Sequence, residues 1–167
     1  TGSDSAAINF TNVQKAIITN NTLISNGTTP YGIILRDKSL LPIISNNTVR
    51  AVAGPSSTGR GVLVADASGM GNISSSFIWA NGSDSAYGLY LTNASDNITI
   101  HNNTASALVR TCFALGLYLS NSSRNNISNN AINGLHDFSG GSASSTNYAV
   151  YTEKSQFNSI NNNTLFS

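Results

Sequence analysis

One phrase, Ile-x-Asn-Asn-(Thr)-apolar, is written six times along this chain, and that repetition restricts the fold more than any single residue does. Its isoleucines are Ile18, Ile44, Ile73, Ile100, Ile127 and Ile160. Two residues on stand Asn20, Asn46, Ser75, Asn102, Asn129 and Asn162, each followed by a second residue of its own type. Five residues after each isoleucine come Leu23, Val49, Ile78, Ala105, Ile132 and Leu165, all apolar. A second phrase opens eleven or twelve residues ahead of each isoleucine, at Ala7, Gly32, Gly61, Gly88, Gly116 and Ala149. It reads "AINFTN", "GIILRD", "GVLVAD", "GLYLTN", "GLYLSN" and "AVYTEK".

In this second phrase the second and fourth residues alternate with outward positions, the period-two signature of a half-buried strand. These are Ile8 and Phe10, Ile33 and Leu35, Val62 and Val64, Leu89 and Leu91, Leu117 and Leu119, and Val150 and Thr152. Each unit therefore holds at least two short strands. Successive units start 25, 29, 27, 28 and 33 residues apart, so the strands keep register while one connection absorbs the variation. No window sustains helical spacing, Asn, Ser, Thr and Gly fill helix interiors poorly, and a propeller blade needs about 40 residues. The pattern predicts an all-β fold: a right-handed, single-stranded parallel β-helix of about six coils, starting near 7, 32, 61, 88, 116 and 149 and forming one domain over 1–167. Six coils at about 4.8 Å each make a rod of roughly 29 Å. At the corner, Asn20, Asn46, Asn102, Asn129 and Asn162 are expected to form a structural ladder. Asn tolerates the left-handed backbone of a tight turn, and its amide offers both a donor and an acceptor for bonds from coil to coil.

"GLYLTNASDNITIHNNT" and "GLYLSNSSRNNISNNAI" resemble the parallel β-helix repeat of pectate-lyase-like proteins, and most closely the Asn-rich, NosD-like repeats of secreted and surface proteins. The resemblance covers nearly the whole chain. It implies the β-helix fold and an extracellular or cell-surface setting. It does not choose a function, because that superfamily includes polysaccharide lyases, glycoside hydrolases, epimerases, adhesins and envelope components.

Composition removes several classes. Charged residues make up 9% and the net charge is +1, which gives no basic face for nucleic acid. Hydrophobic residues reach 40%, enough for a core despite 24 Asn and 26 Ser. A single cysteine, Cys112, and two histidines exclude an internal disulfide framework and argue against a Cys/His zinc site. Cys112 reads as a small buried hydrophobe. No apolar run approaches the roughly 18 residues of a membrane span.

An enzyme similar to the lyases and hydrolases of this fold would set two or three carboxylates on one sheet. The aligned pair here is Asp37 and Asp66, in a column that also holds Asn12, Asn93 and Asn121. Neighbouring rungs put such carboxylates about 5 Å apart, the separation of a retaining glycosidase. The same column is better explained by turn chemistry, because Asp and Asn both bond their own backbone. Asp37 and Asp66 are also the only candidates for holding a cation. His101 should point outward, and His136 falls in the Gly/Ser-rich insertion "GLHDFSGGSASSTNY", read as a surface loop. No catalytic cluster and no cofactor motif emerges.

A more informative column is the third residue of the second phrase, which alternation turns outward: Asn9, Ile34, Leu63, Tyr90, Tyr118 and Tyr151. Ile34, Leu63, Tyr90, Tyr118 and Tyr151 form a contiguous apolar and aromatic stripe, the mark of a protein interface, a ligand platform or cover by a loop. The N-terminal "TGSDSAA" is too short and polar to cap a solenoid, and "NTLFS" stops within a coil, so further sequence or another chain is expected to complete the rungs. Asn-x-Ser/Thr sequons occur at 12 positions. With the ladder asparagines expected inside, Asn26, Asn72, Asn81, Asn97 and Asn126 are the candidate glycosylation sites.

The resulting reading is a structural or self-assembling β-solenoid, a component of an envelope, sheath, filament or adhesin and not an enzyme, that associates end to end or laterally. The alternative is a carbohydrate-binding or carbohydrate-active β-helix using the tyrosine stripe, with Asp37 and Asp66 as its acidic groups.

Overall fold

The structure, a computed structural model, describes residues 5–93, 95–137 and 145–167. Three strands make each coil, and they build three six-stranded parallel sheets. The first sheet holds β1 (Ser5–Thr11), β4 (Pro30–Arg36), β7 (Thr58–Val64), β10 (Ser85–Thr92), β13 (Phe113–Ser120) and β16 (Thr146–Glu153). The second holds β2 (Ile17–Thr19), β5 (Ile43–Ser45), β8 (Asn72–Ser74), β11 (Thr99–His101), β14 (Asn126–Ser128) and β17 (Ser159–Asn161). The third holds β3 (Thr22–Gly27), β6 (Thr48–Ala53), β9 (Phe77–Gly82), β12 (Thr104–Val109), β15 (Ala131–His136) and β18 (Thr164–Phe166). This is the parallel β-helix that the repeat predicts.

Register follows the sequence phrases. Ile18, Ile44, Ile73, Ile100, Ile127 and Ile160 pair as successive partners along the second sheet, and Ile44, Ile73, Ile100 and Ile127 are fully buried. The inward residues of the first sheet, from Ile33 and Leu35 to Leu117 and Leu119, are equally buried, and Val49, Ile78, Ala105 and Ile132 close the core from the third sheet. Each such Val, Leu or Ile side chain contributes roughly 1.5–3 kcal/mol on burial. Where the first and third sheets converge, Ala80, Ala86, Ala107, Val109 and Ala114 form a separate layer of small side chains.

The corner between the second and third sheets is always two residues: 20–21, 46–47, 75–76, 102–103, 129–130 and 162–163. Its first residue takes a left-handed backbone in every coil, with φ of 59° at Asn20, 55° at Asn46, 49° at Ser75, 56° at Asn102, 56° at Asn129 and 52° at Asn162. That backbone turns the first side chain out to solvent and the second one in, which corrects the ladder expected at Asn20, Asn46, Asn102, Asn129 and Asn162. The bonded ladder runs one residue later, through Asn21, Asn47, Ser76, Asn103, Asn130 and Asn163. The Asn21 N–H donates to Asn47 Oδ1 at 3.0 Å, the Ser76 N–H to Asn103 Oδ1 at 3.0 Å, and the Asn103 N–H to Asn130 Oδ1 at 2.9 Å. The amide nitrogens of Asn47, Asn103, Asn130 and Asn163 reach back to the isoleucine carbonyl of the preceding coil, as from Asn47 to Ile18 at 2.7 Å and from Asn103 to Ile73 at 2.8 Å. Buried backbone groups at the corner thus find partners without water.

A second ladder, which the phrases did not announce, joins buried serines between the first and second sheets. The Ser39 N–H donates to Ser68 Oγ at 3.0 Å, and Ser95 Oγ donates to the Val64 carbonyl at 2.9 Å. The connections here span 12–16, 37–42, 65–71, 93–98, 121–125 and 154–158, so this corner also absorbs some length variation. The rest falls between the third sheet and the next first-sheet strand, at 28–29, 54–57, 83–84, 110–112 and 137–145.

Candidate functional site

The outward column of the first sheet is in register as expected: Asn9 pairs with Ile34, Ile34 with Leu63, Leu63 with Tyr90, Tyr90 with Tyr118, and Tyr118 with Tyr151. One member departs from the expectation of exposure. Ile34 is only 6% exposed, because the longer Tyr31 and Arg36 rim the hollow whose floor it shares with Leu63.

A second outward column stands beside the first and was missed by strict alternation: Tyr31, Arg60, Tyr87, Leu115 and Tyr148, again in register. The residues between the columns explain the miss. Gly88 and Leu89 are both buried, so Tyr87 and Tyr90, three apart, emerge on the same face. The signal was present in the sequence as the residue preceding each Gly or Ala of the second phrase, in "YG", "RG", "YG", "LG" and "YA".

Together the columns make an aromatic surface. Tyr90 and Tyr118 stack with ring centroids 4.7 Å apart and planes 9° apart, Tyr87 stacks on Tyr90 at 5.3 Å, and Tyr148 stacks on Tyr151 at 5.3 Å. Two parallel rings only 4.7 Å apart overlap face to face, because rings lying edge to edge in one plane need more room. The stack therefore presents ring edges and hydroxyls to the outside. At its other end the Arg60 guanidinium lies 5.2 Å from the Tyr31 ring and 5.4 Å from the Tyr87 ring, and Arg60 Nη1 donates to Tyr31 Oη at 3.1 Å.

Beside the last rungs, Tyr118, Tyr148, Tyr151, Phe113, Leu115 and Glu153 line a groove. Ser120 Oγ donates to Glu153 Oε1 at 2.8 Å, and the Tyr118 hydroxyl is a second donor to the same carboxylate. These donors, Tyr118 first, hold Glu153 below its usual range. Partial burial, reinforced by the adjacent carboxylate, pushes Tyr118 up to about 12. Because folding raises this pKa, its contribution to stability is intact below the unfolded tyrosine value near 10 and is lost as pH rises toward 12. Burial also raises Tyr87, so in an ultraviolet titration two phenols should ionise later than an ordinary tyrosine, and Tyr118→Phe should delete the one near pH 12. If the step near pH 12 survived in Tyr118→Phe, the assignment would be wrong.

The acidic candidates sit elsewhere. Asp37 and Asp66 share a shallow hollow with Asn12 and Lys38 at the corner after the first sheet. Their φ values of 55° and 58° match 56° at Asn12, 56° at Asn93 and 49° at Asn121, which is the signature of a turn column. Asp66 Oδ1 accepts from Asn93 Nδ2 at 3.0 Å. Among the described residues no group of three or more His, Cys, Asp or Glu comes together.

Other placements differ from expectation. Cys112 is exposed, since it stands in the connection before β13 and not within a strand. His136 ends β15, where Nε2 contacts the Arg110 carbonyl at 2.9 Å, so it is part of the third sheet and not of the insertion loop. Residues 138–144 of that insertion lie outside the described residues. Among the sequons, Asn26, Asn97 and Asn126 are exposed, and Asn72 and Asn81 are half-buried. Asn20, Asn46, Asn102 and Asn162 also face solvent, against the expectation that they pack inside. Among the described residues no helix is long and apolar enough to cross a membrane.

A family model described as the right handed beta helix region matches residues 1–105. Among curated proteins none matches this chain. Among solved structures, a point mutant of the periplasmic alginate epimerase AlgG aligns over 95% of this chain and 47% of its own length, with a TM-score of 0.47 and 12% sequence identity. This chain thus spans about half the length of that protein.

Proposed function

The chain belongs to the right-handed β-helix family, a frame that hosts unrelated activities, and from the face it displays we propose that it is a structural, self-assembling solenoid of the extracellular space or cell surface. In this reading it is a component of an envelope, sheath, filament or adhesin and associates laterally through the first sheet. The observation that carries the reading is the double column of Ile34, Leu63, Tyr90, Tyr118 and Tyr151 with Tyr31, Arg60, Tyr87, Leu115 and Tyr148. An aromatic surface of this extent, mixed with a few charges, has the composition of a protein interface. The placement of Asp37 and Asp66 supports a non-catalytic role, because their left-handed corner is shared with asparagines and Asp66 is already engaged by Asn93.

Sedimentation over a range of concentrations tests this reading. The wild-type chain should associate at micromolar concentration, and a variant combining Tyr90→Ser, Tyr118→Ser and Tyr151→Ser should sediment as a 17.4 kDa monomer with unchanged circular dichroism. A wild-type chain that stays monomeric throughout would sink the proposal.

A second reading has its own support in the groove of Phe113, Tyr148, Tyr151 and Glu153, where a sugar could lie against a ring while the carboxylate accepts from its hydroxyls. Titrating neutral and acidic oligosaccharides against the chain tests it. A saturable response that Tyr151→Ser abolishes would favour carbohydrate binding, and no response to any of them would remove it.

A further inference from the structure

The lateral association just proposed has a preferred geometry, and the inference rests on that reading. We propose that two copies pair face to face through their first sheets with antiparallel rod axes, related by a two-fold axis parallel to the strands at the level of β10.

The face is divided into two unlike halves. Over β4 and β7 it is a hollow floored by Ile34 and Leu63. Over β10, β13 and β16 it carries stacked tyrosines, Tyr118 and Tyr151 among them, which border the groove of Phe113, Leu115 and Tyr148. The charges are divided in the same way. Arg36 stands two residues beyond Ile34 and Glu153 two residues beyond Tyr151, so they occupy one outward column, on the second and sixth strands of the sheet. Arg36 is exposed and touches Thr11 Oγ1 at 3.4 Å, which leaves most of its guanidinium donors directed to solvent. Glu153 accepts from Ser120 and Tyr118 and keeps acceptor sites for a bidentate arginine.

A two-fold axis along the strands preserves the column and reverses the order of strands. With the axis at β10, the second strand of one copy meets the sixth of the other, and the third meets the fifth. Ile34 then receives Tyr151 of the second copy, and Leu63 receives its Tyr118. Tyr90 meets its own equivalent, and Arg36 meets Glu153 of the second copy, twice by symmetry. A two-fold axis along the rod would instead set tyrosine on tyrosine and hollow on hollow, with no pairing of Arg36 and Glu153. Size suits the pairing as well. With β1 beyond the end of the second copy, five strands about 4.8 Å apart and of seven or eight residues at about 3.3 Å each give a paired face of roughly 600 Å². That is at the lower end of the range around about 800 Å² per partner for a standard specific interface.

Charge reversal tests the geometry. Arg36→Glu alone and Glu153→Arg alone each set like charges opposite one another, and each should weaken self-association by about tenfold or more. An equimolar mixture of the two variants restores both ion pairs in the heterodimer and should regain the wild-type dissociation constant. Sedimentation equilibrium reads all three samples, with circular dichroism to confirm that each variant is folded. If the single variants associate as tightly as wild type, or if folded variants do not rescue one another, the antiparallel pairing is wrong while lateral association stands. If the wild-type chain never associates, both ideas fall.

Discussion

Replacing Asn103 by alanine should destabilise the protein by about 4 kcal/mol, while the same change at Asn102, one residue earlier, should cost about 1 kcal/mol. Asn103 is 2% exposed. Its Oδ1 accepts from the Ser76 N–H, and its Nδ2 donates to the carbonyls of Ile73 at 2.8 Å and His101 at 3.1 Å and to Asn130 Oδ1 at 3.1 Å. Truncation takes the acceptor from the Ser76 N–H and the donor from the Ile73 carbonyl, both in the preceding coil and in a site that water does not reach, each at about 1–3 kcal/mol, and opens a small void. Asn102 is exposed and makes a different contribution, a left-handed backbone at φ 56° that alanine adopts less readily. Urea unfolding of both variants measures the difference through a shifted midpoint at an unchanged slope. If the two substitutions cost the same, the ladder does not run through the second residue of the corner.

Gly88→Ala should cost about 3 kcal/mol, for a steric reason. A Cβ at this position would stand 2.5 Å from the Gly116 carbonyl oxygen and 3.3 Å from the Ser106 nitrogen. Both obstacles are backbone, and Gly116 belongs to β13, the adjacent strand of the same sheet. Relief requires β10 and β13 to move apart, which strains the hydrogen bonds between them. Gly32 and Gly61 meet the next coil in the same way, with the Gly61 and Gly88 oxygens 2.6 Å and 2.5 Å from their added Cβ atoms. Ala149 occupies the equivalent position in β16 and Ala7 in β1, the two outermost strands of the sheet. Gly54→Ala is the control, because its Cβ would come no nearer than 3.8 Å to a neighbour. That substitution should be neutral or slightly stabilising through the unfolded chain. Thermal unfolding of both variants decides the matter, and equal melting temperatures would refute the crowding argument.

Much of the frame was legible because it acts through local alternation. The burial of Ile33 and Leu35, or of Leu117 and Leu119, follows from period two, and the stacking of Ile18 to Ile160 follows from recurrence at constant phase. The corner was not legible to the residue. Asn is suited both to left-handed backbone and to bonding a buried carbonyl, and the doublets at 20–21, 46–47, 102–103, 129–130 and 162–163 offer it twice. The structure assigns one property to each member, where a sequence of identical neighbours gives no reason to choose. The second tyrosine column was hidden for a related reason. Alternation assumes a regular strand, and the buried pair Gly88 and Leu89 interrupts it, so Tyr87 emerges where period two places an inward residue. The hollow beside Ile34 depends on the heights of Tyr31 and Arg36 in three dimensions, and no spacing in the sequence encodes it.

The corner between the second and third sheets never departs from two residues, whereas the connection from the third sheet back to the first ranges from 28–29 to 137–145. Length thus varies most at this margin of the molecule, and it borders the first sheet, where Phe113 and Tyr148 begin the aromatic surface. Descendants of such a chain can acquire or lose residues there with every isoleucine column intact, since each coil rests only on its neighbours. The molecule is in this sense a loom with fixed warp and an adjustable selvage. New specificities would arise by re-cutting the edge of the tyrosine face, with no change to the weave that supports it.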